Sequence, residues 1–161
     1  MNQRYSVVRY VDKMKKSGNV KIPTYKSKRV VTSKTVRYHN CQHKLAPLNK
    51  CAGMLLLFIC ENMDEDNNID HTSGLRRKFR YHLNKNCSVT YSDDTVKKAF
   101  YQLVEQDLII SFGLKTEYVV NPLYHFNDTE KKRISLIQKL IYWAKTNPAP
   151  KKSNILRAFG V

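Results

Sequence analysis

Apolar residues recur along the chain with spacings that predict three consecutive helices. "PLNKCAGMLLLFICENMD" is a continuous apolar stretch that begins at Pro47 and ends in acids, which predicts a buried helix too short to cross a bilayer. In "TSGLRRKFRYHLNKN", Leu75, Phe79 and Leu83 stand four positions apart, so they share one helix face. The cations between them occupy the other sides. This segment is predicted to be an amphipathic basic helix.

A third helix and two strands follow. Ser92 is a good N-cap, and Asp93 and Asp94 favour the positive end of a helix through "DDTVKKAFYQLVEQD". "LIISF" and "EYVVN" predict two antiparallel strands joined by a short loop that contains Gly113. The apolar arc predicted for the third helix comprises Val96, Ala99, Phe100 and Leu103.

The segments between and after these elements have a less regular hydrophobic pattern. "DEDNNID" is predicted to be a solvated acidic loop, because it lacks the Gly and the distal Glu of an EF-hand calcium loop. Thr129 can cap a last helix, "EKKRISLIQKLIYWAKTN", whose wide apolar stripe suits either a homodimer or completion of the core. Residues 147–161 contain two prolines and are predicted to be a loose C-terminal tail.

Residues 1–46 have a different character. Stretches such as "RYSVVRYV" and "NVKIPTYKSKRVV" alternate Val, Thr and Tyr with Lys and Arg, a pattern typical of short half-exposed strands. A flexible basic arm is the alternative, because few apolar residues are available for a stable sheet. The predicted organisation is a basic extension over 1–46, a folded domain over 47–146 and the tail.

Charge narrows the class of partner. The 161 residues include 29 Lys and Arg against 13 Asp and Glu, a net charge of +16. The first 50 residues hold 13 of these cations and the single acid Asp12. Such an excess favours a polyanion, and nucleic acid first. No long apolar run or signal-peptide core occurs, so neither membrane insertion nor export is indicated, and a cytoplasmic location is expected.

Catalytic and metal chemistry find little support in the sequence. The four cysteines form no CxxC pair and are expected to be free thiols. His39, Cys41 and His43 alternate in "HNCQH", but no second ligand pair stands at a plausible distance for zinc. The chain has no GxxxxGK[ST] phosphate loop and no His-hydrophobic-His pair of the kind a DNA nickase uses. We therefore expect a protein that is not an enzyme and needs neither cofactor nor metal.

The order of elements predicts the fold. Three helices followed by a two-stranded ribbon is the order of a winged helix-turn-helix, in which the third helix enters the DNA major groove and the ribbon lies beside the backbone. The expected fold class is α+β and mainly helical, a winged helix-turn-helix domain with a basic N-terminal extension.

Two segments resemble one family, the RepL-type plasmid replication initiators of bacteria, which have phage counterparts. "DDTVKKAFYQLVEQDLI" is similar to the family's helix and first strand, and "YVVNPLYHFNDTEKKRISLI" to its "YxxNPxxxF" motif and basic helix. The resemblance runs from about Leu48 to Leu140. It implies a replication initiator in a bacterial host cytoplasm, encoded by a plasmid or phage.

Candidate DNA contacts lie on the second and third helices and in the wing. Four cations within five positions can neutralise several phosphates, while Thr and Gln can bond base edges and Lys more often grips phosphate. The alternative for each residue is an ordinary solvated helix face. Tyr118, Tyr124, Phe126 and Trp143 are expected to be packing residues. The predicted DNA-binding residues are Arg76, Arg77, Lys78, Arg80, Ser92, Thr95, Lys97, Lys98, Tyr101, Gln102 and Lys115.

Several functions are consistent with these sequence features. Sequence-specific binding of double-stranded DNA by a replication initiator is the leading hypothesis. A winged-helix transcriptional regulator is the alternative within the same class. A protein that coats nucleic acid without sequence preference, led by residues 1–46, and an RNA-binding translation factor are alternatives from other classes.

Overall fold

The structure is a computed structural model that describes residues 13–17, 20–24, 36–37, 41–113, 116–147 and 153–160, the first three ranges by their backbone alone. These residues form a mainly helical α+β fold with a small antiparallel sheet, which confirms the predicted class at that level. The helices are α1 Gln42–Leu45, α2 Lys50–Asn62, α3 Ser73–Cys87, α4 Asp93–Glu105, α5 Glu130–Thr146 and α6 Ile155–Phe159. The strands are β1 Lys13–Ser17, β2 Val20–Thr24, β3 Val36–Arg37, β4 Asn68–Asp70, β5 Ile109–Ser111, β6 Glu117–Val120 and β7 His125–Phe126.

The four long helices begin at residues whose side chains cap them. Ser92 and Thr129 accept hydrogen bonds from the backbone N–H three residues further on, as predicted. Asn49 and Thr72 do the same at the starts of α2 and α3. Each such cap contributes about 1 kcal/mol by satisfying a backbone donor that has no partner within the helix.

The main core lies between α2, α3 and α4. Leu55 and Ile59 of α2 meet Phe79 of α3 and Phe100 of α4, all of them fully buried. The predicted apolar faces of α3 and α4 are confirmed, except that Leu75 is only partly buried. Tyr118, Tyr124 and Phe126 are buried, as expected for packing aromatics.

A three-stranded antiparallel sheet of order β4-β6-β5 closes one side of this core. β5 and β6 are the predicted ribbon, with Ile109 opposite Val120. β4 corrects the prediction of a solvated loop, because Ile69 within that acidic stretch is buried and pairs with Tyr118. A single Ile among polar residues is too short a pattern to predict a strand.

The opposite face of the sheet is covered by the C-terminal helices. Ile110 and Val119 pack against α5 and α6, where the buried residues are Leu140, Ala144, Ile155 and Ala158. The stripe of α5 thus packs against this sheet, which fits the alternative in which it completes the core.

Residues 153–160 correct the prediction of a loose tail. The Asn154 side chain accepts from the N–H of Ser111 at 2.7 Å and donates to the carbonyl of Ile109 at 3.0 Å. Arg157 forms an ion pair of 2.8 Å with buried Asp107. The five residues of α6 are too few for a helical period to be visible in the sequence.

The last residues of the predicted extension, from Cys41 onward, contact the folded core. Cys41 is buried in the main core, and the Lys44 ammonium lies 3.3 Å from the carboxylate of Asp107. β1 pairs antiparallel with β2, and β3 pairs with β7 through Val36 and Phe126. Residues 1–12, 18–19, 25–35 and 38–40 of the predicted extension, a set that includes His39, lie outside the described part of the chain.

Candidate nucleic-acid interface

α3 presents an outward stripe of cations and one aromatic side chain. The helix has five cations and no acidic residue, and burial of Phe79 and Leu83 turns the opposite face to solvent. Arg77, Lys78 and Lys85 are exposed there. Tyr81 is 66% exposed, and its ring centroid lies 5.9 Å from the ammonium of Lys85. This face can meet several phosphates of a nucleic-acid backbone.

Arg76 and Arg80 differ from the other two predicted cations of α3. The Arg76 guanidinium donates from Nε to the Asp93 carboxylate at 2.9 Å and joins α3 to the first turn of α4. This hydrogen bond holds the pKa of Asp93 below its ordinary value. Arg80 is partly buried, and its Nε has no hydrogen-bond partner among the residues described. Arg77 and Lys78 are therefore the freely presented pair.

Side chains at the start of α4 bond mainly to one another. The Ser92 hydroxyl accepts from the N–H of Thr95 at 3.1 Å and lies 2.8 Å from the Thr95 hydroxyl. The Lys97 ammonium is 3.5 Å from Asp93 and 3.6 Å from Asp94. These three predicted contacts are close together, but each already has an intramolecular partner.

Gln102 holds α4 against the start of α2. Its amide nitrogen donates to the carbonyl of Pro47 at 3.1 Å, and its amide oxygen accepts from the N–H of Asn49 at 3.3 Å. Contact with a base edge would replace both bonds. Helical periodicity placed Gln102 on the outer arc but could not show that the N-terminus of α2 covers it.

Lys98 and Tyr101 remain the most available of the predicted residues on α4. Lys98 is exposed and forms no ion pair within the described residues, and Tyr101 is 53% exposed. They are three positions apart and so lie side by side on the helix surface. Lys115, the predicted contact at the wing tip, lies outside the described residues.

An aromatic cluster around buried His71, which was not predicted from the sequence, packs against α4. The His71 ring stacks on Phe100, with centroids 3.7 Å apart and an interplanar angle of 5°. Tyr101 and Tyr118 meet the same imidazole edge-on. Burial lowers the pKa of His71 to about 4, with Arg76 adding to the shift, so the ring is neutral at pH 7. No sequence spacing indicates this stacking, because His71, α4 and β6 are far apart in the chain and meet only in the folded protein.

Cys41, Cys51, Cys60 and Cys87 form no disulfide with one another, and the first three are buried. Within residues 41–113, 116–147 and 153–160, no three His, Cys, Asp or Glu side chains are grouped to hold a metal ion. None of the helices in the described part of the chain combines the length and apolar character needed to cross a membrane.

Comparisons with protein-family models, with curated proteins and with solved structures give no match.

Proposed function

We propose that this chain binds double-stranded DNA through a winged helix-turn-helix formed by α2, α3, α4 and the β4-β6-β5 sheet. The element order α2, β4, α3, α4, β5, β6 supports this, since it places a helix pair directly before a two-stranded ribbon. In the proposed complex α4 lies in the major groove, α3 crosses the phosphate backbone, and β5 and β6 form the wing.

The outward face of α3 is the observation that carries the proposal. Arg77 and Lys78 are exposed on a helix without acids, and neither forms an ion pair within the described residues. Cations that are not neutralised internally can replace the counterions of a phosphate backbone, and release of those ions drives binding.

The proposed role is replication initiation of the RepL type, and its support is the sequence resemblance alone. Part of the shared motif has a packing explanation here. The Asn121 amide donates to the carbonyl of Asp107 at 2.8 Å, and buried Arg133 donates to the carbonyl of Pro122 at 2.8 Å. These residues anchor β6 and α5 rather than contact DNA, so the resemblance bears on the fold more directly than on the binding site.

Footprinting tests the biological role. Protection of a replication origin in the DNA molecule that encodes this chain is the expected result. Protection confined to promoters would replace the initiator role with that of a transcriptional regulator and would leave the proposal of DNA binding intact.

Coating of nucleic acid without sequence preference is a second candidate, favoured by the occupied polar groups of α4. Gln102, Thr95 and Lys97 all have intramolecular partners, which leaves few groups for base edges. Affinities for an origin duplex and a random duplex, measured at one salt concentration, separate the two functions. Equal affinities would favour coating, and preference for the origin duplex supports sequence-specific binding.

A further inference from the structure

The outer face of the three-stranded sheet is covered unevenly. Ile110 and Val119 are buried beneath α5 and α6, whereas Asp70 of β4 and Glu117 of β6 are exposed. These two carboxylates are directly opposite partners across the antiparallel pair. Like charges at such positions repel and destabilise a sheet. Neither carboxylate forms an ion pair with any of the residues that the structure describes.

Aromatic side chains wall a cavity beside these two carboxylates. The cavity has a volume of about 430 Å³ and is lined by Asp70, Glu117, Tyr118, Phe112 and Trp143. The rings of Phe112 and Trp143 meet edge to face, with centroids 5.0 Å apart. Two negatively charged hydrogen-bond acceptors and a pair of aromatic rings thus line the same cavity.

We propose that this cavity binds the guanidinium group of an arginine side chain from a protein partner. A guanidinium is planar, donates in a fork that matches carboxylates and stacks on aromatic faces, so it suits both the acids and the walls. A cation between Asp70 and Glu117 also removes their repulsion. Phosphate is repelled by the same carboxylates, so the chemistry of this site differs from that of the cationic face of α3.

The single tryptophan of the chain provides a direct readout. Because Trp143 lines this cavity and is the only tryptophan of the chain, its emission can be followed without a contribution from any other tryptophan. The protein is titrated with a blocked Gly-Arg-Gly peptide amide and, as a neutral control of the same shape, with the citrulline peptide. We expect a saturable change in Trp143 emission with the arginine peptide that weakens with added salt, and no saturable change with citrulline.

Matched variants test whether the two carboxylates hold the ligand. Asp70→Asn with Glu117→Gln removes two charge-assisted contacts and should weaken binding of the arginine peptide about tenfold or more. Glu61→Gln with Glu105→Gln changes the net charge equally at exposed sites on α2 and α4 and should leave the affinity unchanged. Thermal unfolding of the first variant should occur at the wild-type temperature or higher, because the like-charge pair is gone.

Three outcomes would overturn the proposal: no saturable response to the arginine peptide, equal responses to arginine and citrulline, or equal affinities in the two double variants. Trp143 emission that changes with protein concentration alone would assign the occupant to a second copy of this chain, and would overturn the assignment to a different partner.

Discussion

α3 and α4 are neighbouring helices of similar length that use their polar side chains in opposite ways. α3 has five cations and no acid in 15 residues, and its outward stripe projects into solvent. α4 has two cations and three acids in 13 residues, and most of its predicted contacts bond within the protein. The difference shows that a polar side chain on a helix is available to a ligand only when no other group of the protein, on the same helix or on a neighbouring element, has already paired with it.

The buried faces of α3 and α4 should contribute equally to the stability of the fold, in contrast to their polar faces. Phe79 of α3 and Phe100 of α4 are both fully buried. Replacing either by Ala removes a large apolar side chain and leaves a cavity, so each change should lower the free energy of unfolding by about 3–5 kcal/mol. Urea denaturation measures this. A loss below about 1 kcal/mol at one site would show that its helix packs less tightly than described.

Acid should weaken the packing behind α4 through His71. Its pKa is lowered to about 4 by burial, with Arg76 and Lys97 adding to the shift and Asp93 opposing it. Between these two pKa values the His71 imidazole is protonated in the unfolded state and neutral in the folded state. The free energy of unfolding therefore decreases as pH falls from about 6.5 towards 4. Between pH 7 and pH 5 this loss is about 2 kcal/mol.

His71→Phe keeps an aromatic ring against Phe100 and removes the titration. The variant should therefore lose less stability than the wild type between pH 7 and pH 5, measured by thermal unfolding at both values. The carboxylates titrate in both proteins, so the difference between the two isolates His71. Identical pH profiles would place the imidazole in water rather than in the stack.

Lys98 should contribute to base readout if α4 enters the major groove. Its ammonium is exposed and forms no ion pair in the described chain, and a good contact to a base edge is worth about 1–3 kcal/mol of discrimination. Lys98→Ala should lower affinity for an origin duplex more than for a random duplex in fluorescence anisotropy. An equal loss on both would reduce Lys98 to a phosphate contact.

Gln102 should behave differently from Lys98, although both were predicted on the outer arc of α4. Gln102→Ala removes two hydrogen bonds to the start of α2, so it should cost about 1 kcal/mol of stability while the preference for origin DNA stays unchanged. If the variant loses its preference for origin DNA but keeps the wild-type stability, Gln102 contacts DNA directly.

The features predicted from sequence are those that a local pattern determines. The caps Ser92 and Thr129, the apolar arcs and the β5–β6 ribbon each depend on a few neighbouring residues. β4 and α6 were missed because each is anchored by one or two apolar residues and by distant partners, such as Asn154 bonding β5. The DNA-binding residues were predicted from their charge and from the helix face on which they lie. The pairing of Arg76 with Asp93 depends on how α3 packs against α4, which no local sequence pattern shows.

The central claim is that the unpaired cations of α3 neutralise DNA phosphates, and the salt dependence of binding tests it most directly. Fluorescence anisotropy gives the slope of log affinity against log salt for the wild type and two variants. Arg77→Ala with Lys78→Ala should make the slope shallower by nearly two, since each neutralised phosphate adds about 0.9. Lys139→Ala with Lys145→Ala removes the same charge from exposed positions on α5 and should leave the slope near the wild-type value. Equal slopes for all three proteins would contradict the claim.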